Sequence, residues 1–228
     1  MEPFDIHRPA LELLDAAVRA GLPPHDDLQR WSEDEGVVLA ILHAAGWRFG
    51  TPLLEVGCGL FRGGHIALQT GPATAYLGLE SHEALARLAQ ILAPDVHRAR
   101  IVHAPDLPAA IAALEWPSPI TILSWDLWPT LHPASLHRLA GVVRPLLEVG
   151  GRWILRAPAD DPRGPFTDLH PWYGTVDRRR MGQYGTVPRT MAQHGMGSRR
   201  RSLHSDPSSV VWTISPRIPV ERRHALPS

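Results

Sequence analysis

The chain contains no lysine, and all 23 of its basic side chains are arginines. It has one cysteine, Cys58, so a disulfide cannot form within the chain and no cysteine cluster is present to bind zinc. The amino-terminal segment has no long apolar run, which is evidence against a signal peptide or a membrane span. From these absences we expect an intracellular, cytoplasmic protein that does not enter a membrane.

The chain has no net charge, because 23 acidic residues balance the arginines, and its 44% hydrophobic content is ordinary for a globular domain. The charges are unevenly distributed. Residues 1–151 carry 17 acids and 10 arginines, whereas residues 152–228 carry 6 acids and 13 arginines. The basic part could face an anionic partner, or the two parts could neutralise each other across the fold or in a homodimer contact.

Short apolar runs alternate with helical patterns between residues 51 and 157, which is typical of a parallel sheet with crossover helices. We predict strands at 52–56, 75–79, 99–103, 120–125 and 152–156. Helices are predicted at 64–70, 83–92, 107–114 and 133–147. Ligands bind such sheets beyond the carboxyl ends of the strands, so we expect the functional residues there.

Three flanking segments complete a single predicted domain. Residues 1–50 predict a helical cap, and residues 158–185, rich in proline, glycine and aromatic residues, predict an irregular lid or substrate insertion. Residues 186–228 predict a helix and an antiparallel hairpin, with the helix at 187–194 and the strands at 199–204 and 209–215. The expected fold class is therefore α/β, a doubly wound, mostly parallel, seven-stranded sheet with helices on both faces.

Residues 53–64, with the sequence LLEVGCGLFRGG, predict a buried strand that runs through a glycine turn into a helix. The glycines would let the backbone approach a ligand, and the start of the helix would present amide donors to it. A dinucleotide fingerprint would need glycine where the chain has Arg62, so a nicotinamide cofactor is disfavoured. Glu80 ends the second predicted strand, where its carboxylate could accept both hydroxyls of a ribose.

Together these motifs resemble the class I S-adenosylmethionine-dependent methyltransferases. The first-strand Glu-x-Gly-x-Gly is present as Glu55–Gly59, and Glu80 corresponds to the acid that ends the second strand. Asp106 corresponds to the acid after the third strand, and residues 144–155 resemble the Leu-x-Pro-Gly-Gly segment, with Val149 in place of proline. The resemblance covers about residues 50–157 and implies S-adenosylmethionine as the cofactor and methyl transfer as the activity.

The resemblance also implies roles for individual residues. Gly57 and Gly59, with Cys58 as a small filler between them, would line the methionine part of the cofactor, and Glu55 would support its amino group. The residues implied for the rest of the cofactor are Glu80 and Ser81 at the ribose, Asp106 and Leu107 at the adenine, and Ser124 and Trp125 near the sulfonium.

Each acidic residue of this set also has a structural interpretation. Glu55 could be a buried acid that pairs with a neighbouring loop. Glu80 and Asp106 could cap the helices that follow them. Both interpretations stay open from the sequence alone.

Methyl transfer from a sulfonium is a direct displacement, so the protein mainly aligns the acceptor and removes a proton from an oxygen or nitrogen where needed. The candidate bases are Asp126, His132, His170 and Tyr173. We expect a small-molecule acceptor, held between the amino-terminal helices and residues 158–185. A cofactor-binding protein without transferase chemistry is the alternative from the class of binding proteins.

Two further patterns bear on metals and nucleic acids. Asp126 with Asp160 and Asp161 resembles the magnesium ligands of catechol-type O-methyltransferases, but the lysine base of that group is missing, so we predict no metal. The arginine triplets at 178–180 and 199–201 could contact RNA phosphates, which keeps an RNA methyltransferase open as an alternative. The neutral total charge favours a solvated edge instead, and we expect no nucleic-acid partner.

Overall fold

The computed structural model describes residues 42, 47, 50–69, 73–93, 98–115, 119–125, 127, 131, 133–158, 167–170, 174–177, 186–202 and 209–217. The helices predicted within residues 1–50 lie outside the described residues, apart from the isolated positions Leu42 and Trp47, which are both buried.

The strands of the described part form one large and one small sheet. They are β1 Leu53–Val56, β2 Tyr76–Glu80, β3 Ala99–His103, β4 Thr121–Trp125, β5 Arg152–Pro158, β6 Thr167–His170, β7 Gly174–Asp177, β8 Met196–Ser202 and β9 Ser209–Pro216. The large sheet has seven strands in the order β3-β2-β1-β4-β5-β9-β8. Neighbours from β3 to β5 pair in parallel, and β9 pairs antiparallel with both β5 and β8. This confirms the predicted fold class.

Five helices connect the strands of the described part. They are α1 Arg62–Gln69, α2 Glu83–Leu92, α3 Leu107–Ala112, α4 Pro133–Glu148 and α5 Thr186–Gln193. Helices α1 and α2 pack on one face of the sheet with β1, β2 and β3, while α3, α4 and α5 cover the other face. Every residue of β1 and β2 is buried, as expected for a parallel sheet covered on both sides.

Most element boundaries differ little from the prediction, and two differences have a clear cause. Strand β5 continues to Pro158, two residues past the predicted end, because its pairing with β9 runs as far as Pro158 opposite Ser209. Helix α1 begins at Arg62, two residues earlier than predicted, because the Glu55 carboxylate on β1 accepts from the Gly64 N–H in the first turn.

Residues 158–185, predicted as an irregular lid or substrate insertion, contain two strands that the sequence analysis did not predict. Strands β6 and β7 pair antiparallel as a separate two-stranded sheet, from Thr167 opposite Asp177 to His170 opposite Gly174. The strands have four residues each, TDLH and GTVD, and neither contains the apolar alternation on which strand prediction depends. The role of this segment as a lid stays a prediction.

Candidate functional site

The glycine turn that follows β1 is anchored to the end of β2. The N–H groups of Gly57 and Cys58 both donate to the Leu79 carbonyl oxygen, at 2.8 and 3.0 Å. Gly57 and Gly59 have φ values of +74° and +52°, in the left-handed region that favours glycine. A Cβ added to Gly59 would meet no atom within 4 Å, so the turn faces open space there. The turn thus has the glycine conformation that the sequence motif predicts, and its role in binding a ligand stays a prediction.

Glu80 at the end of β2 is completely buried and ties the glycine turn to the next loop. Its Oε2 accepts from the Gly59 N–H at 2.8 Å, and its Oε1 accepts from the His82 N–H at 2.8 Å and the Ser81 hydroxyl at 3.3 Å. A carboxylate has about four acceptor positions, so three partners leave room for roughly one more donor. Glu80 therefore shapes both loops and retains capacity for a ligand hydroxyl.

Glu55 in β1 is 2% exposed and binds protein groups. Its Oε2 accepts from the Tyr76 hydroxyl at 2.6 Å and from the Gly64 N–H at 3.1 Å. A Cβ on Gly63 would lie 2.6 Å from the Glu55 Oε1, so a larger residue cannot stand there without a shift. Burial and the nearby Glu55 charge raise the pKa of Tyr76 well above its usual value, which keeps its hydroxyl a donor.

Aromatic rings and a thiol fill the space under the turn, and sequence reasoning missed this packing. The Phe61 and Tyr76 rings meet edge to face at 4.9 Å, and Phe61 itself has a φ of 67°, in the left-handed region. A Cβ on Gly64 would lie 2.3 to 2.4 Å from both rings. A Cβ on Gly78 would lie 2.8 Å from the Cys58 Sγ. The signal in the sequence was Gly78 inside a buried strand, since a glycine in a strand often marks a place where another part of the protein comes close to the backbone.

Cys58 lies in the middle of the turn and is 4% exposed. Burial, followed by the charges of Glu55 and Glu80, raises the pKa of the Cys58 thiol well above its usual value. The nucleophilic form of cysteine is the thiolate, and burial of the Cys58 thiol favours the protonated form instead. Its position agrees with the predicted role as a small filler.

Asp106 caps helix α3. Its Oδ1 accepts from the Ala109 N–H at 3.1 Å, and its Oδ2 forms an ion pair with Arg138 at 2.7 Å. The side chain is 46% exposed, and the hydrogen bond from Arg138 is the main cause that lowers the pKa of Asp106. Leu107 is buried in the core on the side of α3, α4 and α5.

The carboxyl end of β4 lies beside the glycine turn. A Cβ on Gly57 would come within 2.7 Å of Leu127 Cδ1, so the chain after β4 packs directly on that turn. Ser124 is buried, and its Oγ accepts from the Trp153 Nε1–H at 3.0 Å. The Arg156 guanidinium stacks over the Trp125 ring in a cation–π contact, with its Cζ 4.7 Å from the ring centroid. This stacked pair depends on the register of β4 and β5 and was not predicted.

Most of the candidate bases are not described. Asp126, His132 and Tyr173 lie outside the described residues, as do Asp160, Asp161 and the arginine triplet at 178–180. His170 is the last residue of β6 and pairs with Gly174 in the backbone register. In the other triplet, the side chains of Arg199 and Arg200 are exposed on β8.

Two further findings concern the described residues only. No group of three or more histidine, cysteine, aspartate or glutamate side chains stands close enough there to hold a metal ion. None of the helices in that part of the chain has the length and apolar character needed to cross a bilayer.

Solved structures similar to this chain include S-adenosylmethionine-dependent methyltransferases. The glycopeptide N-methyltransferase MtfA, complexed with S-adenosylmethionine, superposes with a TM-score of 0.60 at 15% identity, over 79% of this chain and 87% of MtfA. The mitomycin 7-O-methyltransferase MmcR gives a TM-score of 0.58 at 14% identity, over 92% of this chain and 68% of MmcR. Magnesium protoporphyrin IX methyltransferase from Synechocystis PCC 6803 gives a TM-score of 0.55 at 15% identity, over 84% of this chain and 85% of that protein.

These similarities are structural. Neither the protein-family models nor the curated protein sequences give a match to this chain. The strand order, the antiparallel β5-β9-β8 end and the superpositions together define the fold of the class I S-adenosylmethionine-dependent methyltransferases. The resemblance inferred from the sequence motifs is thus confirmed at the level of the fold.

Proposed function

We propose that this protein is a methyltransferase that uses S-adenosylmethionine to methylate an oxygen or nitrogen of a small molecule. The observation that carries the proposal is the Gly57–Gly59 turn, which is tied to β2 through Leu79 and Glu80 and opens to free space at Gly59. It stands at the carboxyl edge of the sheet, where ligands of doubly wound folds bind.

The residues present fit the cofactor. The glycine turn would place backbone without side chains against the methionine part of the cofactor. Glu80, with Ser81 beside it, could still accept a hydrogen bond from a ribose hydroxyl. Glu55 acts indirectly in this proposal, by holding the first turn of α1 through Gly64. The two buried carboxylates also give this edge negative charge, which suits the cofactor's sulfonium and ammonium groups.

Asp106, Leu107, Ser124 and Trp125 stay part of the proposal as contacts to the adenine and the sulfonium. Asp106 would share its carboxylate between the adenine amino group and Arg138. Asp126, His132, His170 and Tyr173 stay the candidates for removing a proton from the acceptor. The bound cofactor supplies an activated methyl group, so the chain's own task is to align the acceptor and exclude water.

The small-molecule acceptor is supported by what is known of the neighbours. MtfA is described as a glycopeptide N-methyltransferase, MmcR as a mitomycin 7-O-methyltransferase, and the Synechocystis protein as a magnesium protoporphyrin IX methyltransferase. The acceptors in these names differ widely. The proposal therefore covers methyl transfer to a small molecule and names no particular acceptor.

Calorimetry with S-adenosylhomocysteine tests cofactor binding. We expect one site per chain with a dissociation constant in the micromolar range, about −8 kcal/mol. Absence of binding to the folded protein at millimolar ligand would contradict the proposal. Incubation with methyl-labelled cofactor and a panel of phenols, amines and RNA then tests transfer. Label in RNA alone, or cofactor binding without any transfer, would favour one of the two alternatives over this proposal.

A further inference from the structure

A histidine that the sequence analysis did not single out lies beside the proposed ribose site. His103 is the last residue of β3, and the parallel register of β2 and β3 places it opposite Glu80. The Ala104 N–H donates to the Glu80 carbonyl oxygen at 2.7 Å, so the backbone that follows His103 is also fixed to the end of β2. His103 is exposed and stands at the carboxyl edge of the sheet, where ligands of doubly wound folds bind.

The His103 side chain holds the loop that leads from β2 into α2. Its Nε2 lies 3.1 Å from the carbonyl oxygen of Ser81, the residue that follows Glu80. A carbonyl oxygen can only accept a hydrogen bond, so the Nε2 of His103 carries a proton and donates it to this bond. Nε2 is a donor in one neutral tautomer of the imidazole and in its charged form, and the contact fits both.

The ribose loop, which we define as Ser81 and His82, is therefore held from two sides. Glu80 Oε1 accepts from the Ser81 hydroxyl at 3.3 Å and from the His82 N–H at 2.8 Å. His103 binds the Ser81 carbonyl from the side of β3. The first two bonds end on the carboxylate that is proposed to bind the ribose, whereas the bond from His103 does not involve that carboxylate.

Binding of a ribose would compete with part of this arrangement. The bond from the Ser81 hydroxyl to Glu80, at 3.3 Å, is longer than the usual range of roughly 2.5–3.0 Å for a hydroxyl donor, so it is the weakest contact of that carboxylate.

A ribose offers two hydroxyls, and Glu80 has room for roughly one more donor beside its three protein partners. The second ribose hydroxyl would therefore take the place of the Ser81 hydroxyl. The bond from His103 to the Ser81 carbonyl would then remain to keep this residue in position, because it is independent of Glu80.

We propose that His103 is a positioning residue of the cofactor site, which rests on the methyltransferase function proposed above. Its Nε2–H holds the Ser81 carbonyl, and with it the ribose loop, while Glu80 binds the ribose hydroxyls. His103 touches no atom of the cofactor in this role and acts through Ser81. A change at His103 therefore weakens cofactor binding through the ribose hydroxyls alone.

Three substitutions of His103, compared by calorimetry, identify the nitrogen that matters. Glutamine carries its donor nitrogen as many bonds from Cα as the Nε2 of histidine, whereas asparagine carries its nitrogen at the position of Nδ1, and leucine has no donor. His103→Leu and His103→Asn should weaken S-adenosylhomocysteine binding about threefold to tenfold, as the loss of one hydrogen bond does. His103→Gln should bind within about twofold of the wild type, because it restores the donor.

A modified ligand separates positioning from a general loss of structure. The analogue of S-adenosylhomocysteine that lacks both ribose hydroxyls has nothing to donate to the Glu80 carboxylate from its ribose. The wild type should bind this analogue more weakly than S-adenosylhomocysteine, and His103→Leu should bind it within about twofold of the wild type. A merely structural role of His103 would instead weaken both ligands by the same factor.

His137 provides the matched control for the leucine substitution. It is an exposed histidine of α4, a helix packed against α3, α5, β5 and β9, and its Nδ1 lies 3.4 Å from the Nε2 of His194. His137→Leu should bind S-adenosylhomocysteine like the wild type. Since both substituted histidines are exposed, neither leucine leaves a cavity, and thermal unfolding checks that each variant is folded.

The outcomes separate this inference from the function on which it rests. Unchanged affinity in His103→Leu, rescue by asparagine rather than glutamine, or an equal loss for both ligands would overturn the positioning role and leave the methyltransferase function standing. A folded wild-type protein that binds no S-adenosylhomocysteine would contradict the proposed function itself, and the inference would fall with it.

Discussion

The ends of β1 and β2 and the ends of β4 and β5 lie along one edge of the same sheet, and they differ in how their polar groups are satisfied. At β1 and β2, Glu55 and Glu80 are buried and bind a hydroxyl and backbone N–H groups from the neighbouring loops. At β4 and β5, the Trp125 N–H has no acceptor and Arg156 rests on its ring. The first region satisfies its buried carboxylates with groups of the protein itself, whereas the second leaves the buried indole N–H of Trp125 without an acceptor.

The largest expected effect tests how tightly the first region is packed. Gly64→Ala places a Cβ within 2.4 Å of the Phe61 and Tyr76 rings, and such overpacking should lower the free energy of unfolding by roughly 1–3 kcal/mol. Gly141 in α4 is the matched helical control, because its nearest neighbour would be 3.7 Å away, at His194. Gly141→Ala should stabilise the protein by about 0.5–1 kcal/mol, since alanine favours helices.

Urea unfolding of the two alanine variants makes this comparison. A Gly64→Ala variant as stable as Gly141→Ala would mean that the space under the glycine turn is looser than described.

The next effect tests the buried carboxylate of Glu55. Glu55→Gln replaces the charged oxygen that accepts from the Tyr76 hydroxyl and the Gly64 N–H by a neutral, weaker acceptor, and it puts an NH₂ group in place of the other carboxylate oxygen, so it should cost about 1–3 kcal/mol of stability. Glu148→Gln is the control. Glu148 pairs with Arg144 at 2.7 Å on the exposed side of α4, and its loss should cost at most about 0.5 kcal/mol. Thermal unfolding compares the two, and equal losses would contradict the role of Glu55.

A smaller effect concerns pH. The pKa of Tyr76 is raised by burial, so the folded state keeps its phenolic proton above pH 10, where an unfolded tyrosine loses it. The unfolded state then binds fewer protons, and the free energy of unfolding falls as pH rises above about 10, by roughly 1.4 kcal/mol per pH unit for this group. Tyr76→Phe lacks this contribution.

Urea unfolding from about pH 9 to about pH 11 measures the difference between the wild type and Tyr76→Phe. Parallel curves for the two proteins would show that Tyr76 titrates normally and is not enclosed with Glu55.

The sequence predicted much of the fold because the signals were local. The bounds of β3 and α2 are those predicted, and the glycine turn was recognised from Gly57 and Gly59. The sequence left open whether Asp106 caps a helix, and in the structure its side chain does so by accepting from the Ala109 N–H. Patterns of apolar spacing and turn residues carry this kind of information.

What could not be predicted depends on contacts between distant residues. The Tyr76 hydroxyl reaches Glu55 across 21 residues of chain, and nothing local indicates that these two residues face each other. Trp125 and Arg156 meet only because β4 and β5 pair in one particular register. The paired strands β6 and β7 lack apolar alternation, so pairing itself is what defines them.

The most direct test of the central claim compares two alanine variants for S-adenosylhomocysteine binding. Gly59 and Gly50 both have positive φ values and would both carry a Cβ with no atom within 4 Å, so each substitution should cost a similar 1–2 kcal/mol or so of stability. Gly50 precedes β1, at the opposite edge of the sheet. Calorimetry should show affinity reduced about tenfold or more in Gly59→Ala and unchanged in Gly50→Ala. Equal affinity in both variants would contradict a cofactor site at the glycine turn.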